Sequence, residues 1–220
     1  MSEEASAREH FAHISDPHLT TLEGARGGQL LNKRLLGYLS WLHKRRYQHR
    51  GEVLTALQHD LLAHPVAQLL VTGDLTHIGL PQEFAQARDW LRELGEPRLV
   101  ALVPGNHDAC VTTVWQETFG LWDDYLSSDE PSSPRFPSLR IRGSIAFIGL
   151  STACPTPPLM ATGTVGREQL DRLPRLLAET REHDLFHVQA GLVQTGDRPG
   201  IRPVPGLYPR LTGESAFPGI

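Results

Sequence analysis

Asp16-Pro17-His18, Gly73-Asp74 and Gly105-Asn106-His107-Asp108 each close an apolar run, and together they carry the carboxylate, imidazole and amide donors of a hydrolytic metal site. Asp16 and His18 stand at positions i and i+2, which face the same side of an extended segment, so both can grip one ion. Asp74 follows a glycine that permits close backbone approach, and the two oxygens of its carboxylate suit it to bridging a pair of cations. Asn106 can give a neutral carbonyl oxygen to the second ion without adding negative charge against an anionic substrate. His107, on the opposite side of an extended backbone from Asn106, is expected to face the substrate as a general acid. Asp108 is expected to orient its ring.

Oxygen and nitrogen donors without a thiolate favour manganese, iron or zinc over an iron-sulfur cluster or a dedicated calcium loop. Paired divalent ions about 3.5 to 4 Å apart acidify a bridging water and clamp the attacking and leaving oxygens of an in-line displacement. The chemistry to expect is hydrolysis of a phosphomonoester or phosphodiester by attack of metal-bound hydroxide.

The elements that must position these donors follow from the hydrophobic pattern. Residues 11–15, 69–72 and 99–103 read as strands, each ending at one of the motifs. Glu52–Leu62 has apolar residues at helical spacing, as does Glu83–Leu94, which Pro81 opens and Gly95 stops. Strand, helix, strand, helix, strand implies parallel βαβ units, in which ligands gather at the carboxyl ends of the strands. Further on, 138–142 and 144–150 read as two strands turning at Gly143. Arg167–Glu179 reads as a helix despite Pro174, and residues 127–137 as a loop. Beyond residue 185 the alternation of Gly and Pro defeats regular structure, so the expected organisation is a domain over 1–185 and an irregular tail over 186–220.

Composition narrows the surroundings. The chain has 220 residues, enough for a sizeable core, and a formal charge of -4 gives no global basic field to draw it to nucleic acid or anionic lipid. The acidic start lacks the features of a secretory signal, no apolar run reaches the roughly 20 residues of a membrane span, and Cys110 and Cys154 lack zinc-site spacing. A cytoplasmic protein with reduced thiols and no integral membrane segment is expected. One local exception lies at residues 29–50. There Leu31, Leu35, Tyr38, Leu39 and Leu42 form a helical stripe amid Lys33, Arg34, Lys44, Arg45, Arg46 and Arg50, with Trp41 and Tyr47 interleaved. Such a segment can bind nucleic acid, an anionic lipid headgroup or a substrate phosphate, or serve as an amphipathic cap with a solvated basic face.

With these residues in view, the chain resembles the calcineurin-like metallophosphoesterases over residues 10–180. The likeness is nearest to the bacterial branch similar to class III cyclic-nucleotide phosphodiesterases. The resemblance implies a four-layer α/β/β/α sandwich with a dinuclear centre, in which Asp16 and His18 hold the first metal, Asp74 bridges and Asn106 holds the second. His107 and Asp108 match the catalytic pair. It also implies a phosphate-ester small molecule, such as a nucleotide, as the substrate.

The family pattern continues with a histidine at a later strand end and a closing Gly-His-x-His. This sequence has neither, its last histidines being His183 and His187, so the domain is expected to be incomplete at its C-terminus. The alternative that follows is a catalytically weak or dead member, acting at most as a binding module.

Overall fold

The computed structural model describes residues 10–19, 21–46, 51–158, 160, 162–183 and 185–190. Strands β1 (Phe11–Ser15), β2 (Gln68–Thr72) and β3 (Val100–Val103) form a parallel sheet in the order β1-β2-β3. Strands β4 (Ser138–Arg142), β5 (Ile145–Gly149) and β6 (Phe186–Ala190) form a second sheet in the order β4-β5-β6, antiparallel between β4 and β5 and parallel between β5 and β6. The helices are α1 (Arg34–Ser40), α2 (Gly51–Ala63), α3 (Pro81–Leu94), α4 (Asp123–Leu126) and α5 (Arg167–Glu182).

Side-chain alternation along the strands creates the layers. Leu69, Val71, Val100 and Leu102 meet Phe84, Ala87, Trp90, Leu91 and Leu94 of α3 on one face of the first sheet. Leu70 and Val103, one residue out of phase, meet Phe147 of the second sheet, with Ala101, Ile145 and Val188 around them. Ile148 and Leu150 point the other way, onto Leu173, Leu176 and Leu177 of α5. Helix, sheet, sheet, helix is the expected four-layer arrangement. It needs β6, which lies just beyond the boundary expected at residue 185 and pairs with all of β5. The rest of the expected tail lies outside the described residues.

Register brings the motifs to one level. Ser15 pairs with Thr72 and Thr72 with Val103, so the three segments leave the sheet side by side. The ladder continues beyond the strands: the amide of His18 donates to the Asp74 carbonyl at 3.0 Å, and that of Gly73 to the Val103 carbonyl at 2.7 Å.

The apolar stripe on α2 is narrower than the spacing suggests. Only Leu54 and Leu61, two turns apart, reach the core, and Val53, Leu57 and Leu62 stay exposed because the helix touches the sheet along a thin seam. The segment at 29–50 is partly the expected amphipathic cap. Tyr38, Trp41 and Leu42 pack on Leu22, Ile78 and Leu80, whereas Leu31, Leu35 and Leu39 face outward. The alternative of a nucleic-acid or lipid surface finds no support here. Arg34 and Trp41 are buried and the Lys33 ammonium is held by Thr156 Oγ1 at 2.7 Å, while Tyr47 and Arg50 fall outside the described residues. No helix among the described residues is long and apolar enough to cross a membrane. Cys110 is buried, Cys154 half-buried, and neither is in a disulfide.

One buried cation ties the layers together. Arg140 on β4 donates to the carbonyls of Pro97, Val100 (2.9 Å), Ser127 (3.1 Å) and Tyr125 (2.9 Å), and burial lowers its pKa to about 10. Truncation would strand these carbonyls without donors and open a void. Arg140→Ala is therefore expected to lower the unfolding free energy by about 3 kcal/mol in urea titrations followed by circular dichroism.

Candidate metal centre

Asp16, His18 and Asp74 are the three non-glycine residues with positive φ among those described, at 51°, 44° and 51°. L-residues visit this left-handed region rarely, and at a cost of about 1–3 kcal/mol each when the surrounding structure enforces it. Here the enforced turns redirect three donors from strand ends toward one another. The expectation that Asp16 and His18 share a side through strand alternation is corrected by these angles: the segment has left the extended region, and both side chains reach Asp74 by tight turning instead. Asp16 is in side-chain hydrogen-bond contact with Asp74. Ligand atoms of His18, Asp74 and His107 lie within 4.8 Å of one another.

The loop that follows Asp74 sets both imidazoles. His18 Nδ1 lies 3.2 Å from the Thr76 carbonyl and His107 Nδ1 lies 2.6 Å from the His77 carbonyl. A carbonyl oxygen only accepts, so each Nδ1 must carry the hydrogen, and the lone pair of each neutral ring belongs to Nε2. Metal-binding histidines are commonly held in this way. The His77 ring stacks on that of His18, with centroids 5.0 Å apart and planes 10° apart, while the His107 ring meets His18 edge-on at 5.0 Å.

Asn106 and Asp108 occupy different situations. Asn106 Oδ1 is buried with no hydrogen-bond partner, which suits an oxygen intended for a cation. Asp108 is fully buried and does not orient the His107 ring. One of its oxygens accepts from the Thr76 amide (2.9 Å) and hydroxyl (3.0 Å), and the other from the Gly105 amide (2.9 Å). The reason is local: residues 106–109 form a turn, not an extended segment, so alternation from Asn106 to Asp108 does not apply. Asp108 clamps the second motif to the third, and the ring of His107 belongs to the His77 carbonyl.

Gly105 matters for the space it leaves. A Cβ there would overlap Asp74 Oδ1 and sit 2.5 Å from the Asp74 amide nitrogen and 2.8 Å from Gly73 Cα. His187, the last histidine of the sequence, lies away from this cluster and is bonded to Thr180 Oγ1 at 2.7 Å within the second sheet and its helix. His77 and Glu83 escaped the sequence reading. The signal for Glu83 was present, since Pro81 at the first turn with a glutamate at N3 marks a capping site; His77 carries no pattern of its own.

The carboxylates are crowded away from water. Burial first, and then the Asp108 and Asp16 charges, raise the Asp74 pKa from 3.8 to about 8, against a lowering by the His107 amide, which donates to Asp74 Oδ1 at 2.8 Å. Burial raises Asp108 to about 6, opposed by its three donors. Each group answers to positive charge, and a divalent cation coordinated by Asp74 would replace the proton that the metal-free site retains at neutral pH.

A family model for calcineurin-like phosphoesterases matches residues 9–197. The chain belongs to that family. A search of curated proteins gives no match. Membership implies metal-dependent hydrolysis of phosphoric esters, and the donors gathered here fit divalent metals.

Two measurements test this reading of the site. A carboxyl whose folded pKa exceeds its unfolded value holds its proton more tightly when folded, so the metal-free protein should lose stability as pH rises from about 4 to about 8. Added Mn²⁺ should raise the melting temperature more at pH 8 than at pH 5, as read by differential scanning fluorimetry. An equal shift at both pH values would count against Asp74 as a ligand. Gly105→Ala, which pushes on Asp74, should weaken Mn²⁺ binding by about 10- to 100-fold in calorimetry while the circular dichroism spectrum is retained.

Proposed function

We propose that this calcineurin-like phosphoesterase hydrolyses a phosphomonoester or phosphodiester with Asp16, His18, Asp74 and Asn106 as its metal donors and His107 as the group that serves the leaving oxygen. The observation that carries the proposal is the meeting of His18, Asp74 and His107 around a cation-sized space, with both Nδ1 atoms already committed to backbone carbonyls. Divalent ions at such donors polarise a phosphoryl oxygen and acidify water. The chain's own groups do the rest. Asn106 adds an oxygen without charge, so an anionic phosphate is not repelled there. His107, when protonated, carries a hydrogen on Nε2 that it can give to a departing alkoxide, while the His77 carbonyl keeps hold of Nδ1.

Manganese, iron and zinc all suit the donor set, and a cytoplasmic setting suits two free cysteines. A nucleotide ester, cyclic nucleotides among them, is the substrate class we favour, on the sequence resemblance to the cyclic-nucleotide branch. The position of His187 favours a second reading, in which one ion is held tightly and the other weakly. The donors near Asp74 come from the first three motifs, and His187 is engaged with Thr180. A one-metal site would still polarise phosphate, but it would lose the paired clamp and much of the rate.

Hydrolysis of bis(p-nitrophenyl) phosphate is expected to depend on Mn²⁺ and to vanish in Asp74→Asn. His107→Gln should lower kcat by about 10²- to 10⁴-fold while bound metal, counted by plasma mass spectrometry, stays at the wild-type ratio. A parallel loss of metal would make His107 a ligand instead. No turnover by folded, metal-loaded wild type would leave the inactive-member reading standing.

A further inference from the structure

The turn from His77 to Leu80 is gripped from two sides by buried residues of opposite charge. From one side Glu83, fully buried at the start of α3, accepts the amides of His77 (2.7 Å) through one oxygen, and those of Ile78 (3.2 Å) and Leu80 (2.9 Å) through the other. From the other side Arg34, at the start of α1, donates Nε to the Ile78 carbonyl at 3.0 Å and Nη2 to the Gly79 carbonyl. Gly37 lets α1 come this close, since a Cβ there would overlap Ile78 Cγ2. Gly79 has φ of 68°, and a Cβ on it would press on the Asp108 carbonyl at 3.0 Å. Amides and carbonyls of one short turn are thus satisfied by one carboxylate and one guanidinium, with no water needed.

The residue this grip fixes most directly is His77, whose amide is on Glu83 and whose carbonyl holds His107 Nδ1. We infer that Arg34 and Glu83 are positioning residues that set the His107 tautomer: by immobilising the His77 carbonyl they keep the hydrogen on Nδ1 and direct Nε2 to the reaction. An unrestrained neutral imidazole has no such preference imposed on it and samples the Nε2–H form. The His18 ring also touches His77, by stacking, but its Nδ1 hydrogen is held by a different carbonyl, that of Thr76, whose amide and hydroxyl are on Asp108 and not on Glu83. The two Nδ1 hydrogens therefore report on two different carbonyl anchors. The catalytic part of this inference rests on the phosphoesterase reading above; the structural part does not.

The test is a two-bond ¹H–¹⁵N correlation spectrum of the full metal-free chain labelled with ¹⁵N-histidine, at alkaline pH where the rings are neutral. His18→Gln and His107→Gln supply the assignments. Wild type should show Nδ1–H rings for both His18 and His107. In Glu83→Ala and Arg34→Met the His107 signals should move to an Nε2–H or averaged pattern while His18 keeps its own, and Glu83→Gln and Arg34→Lys, which retain part of the grip, should be intermediate. If the larger changes prevent folding, the two conservative variants carry the test.

An unchanged His107 in folded variants would overturn the inference, as would His18 and His107 shifting together. Turnover of bis(p-nitrophenyl) phosphate is scored separately, and Glu83→Ala should cost about 10- to 100-fold in kcat with KM little changed. Wild type with the Nδ1–H pattern but no turnover would overturn the phosphoesterase proposal and support the anchoring. Full turnover in variants with unaltered tautomers would overturn the anchoring alone.

Discussion

Asp74 sits where like charges converge and water is scarce, and this repulsion is what the rest of the centre is arranged to answer. Asp16 touches it, Asp108 adds its field, and burial raises its pKa to about 8. The protein answers with one amide, from His107, to one Asp74 oxygen, and with three donors that take up Asp108 entirely. Asp108 is thereby spent within the frame, whereas Asp74 remains dependent on a proton or a cation. A pocket that concentrates carboxylate oxygens, an amide oxygen without a protein partner and two preset imidazoles is complementary to positive charge before any arrives.

Holding these donors together requires backbone that the chain would not adopt alone. The left-handed turns at Asp16, His18 and Asp74 follow immediately on β1 and β2, whose ladder persists into the turns through the His18 and Leu19 amides. Behind them α3 packs Phe84, Leu91 and Leu94 against the sheet, and Phe147 closes the opposite face. Strain of this kind persists only where surrounding structure over-determines it. Here the parallel sheet is that structure, because a shift of one strand would carry its motif away from the other two.

The donors were legible because each ends an apolar run, and the ends of apolar runs are where a parallel sheet delivers side chains. The layers were expected through the family resemblance alone, and the structure explains them by the alternation in β2, β3 and β5 that separates Leu70, Val103 and Phe147 from their neighbours. What failed was inference from extended geometry. Asp, His and Asn tolerate left-handed and turn conformations, but as metal donors these residues were read as extended, so the pairing assigned to Asp108 and His107 did not survive. The real partner of His107 is a backbone carbonyl, which has no residue signature. Arg34 and Trp41 were misleading for a related reason: a cation and an aromatic ring spell a binding surface or a buried strut equally well, and burial decides between them.

The use of carbonyls to orient His18 and His107 follows from the same charge problem. A carboxylate partner would orient an imidazole more strongly and raise its basicity. It would also add negative charge beside Asp74, in a site already short of counter-charge and facing an anionic ester. Neutral acceptors fix the tautomer without that cost, and the anions that do serve the loop are placed one step back. Asp108 acts on Thr76 and Gly105, and Glu83 acts on His77, Ile78 and Leu80 with Arg34 across the turn to balance it. Orientation is thus carried inward by peptide dipoles while full charges stay behind the loop, an arrangement that keeps the imidazoles directed without a further carboxylate beside Asp74, where Asp108 already adds to the repulsion.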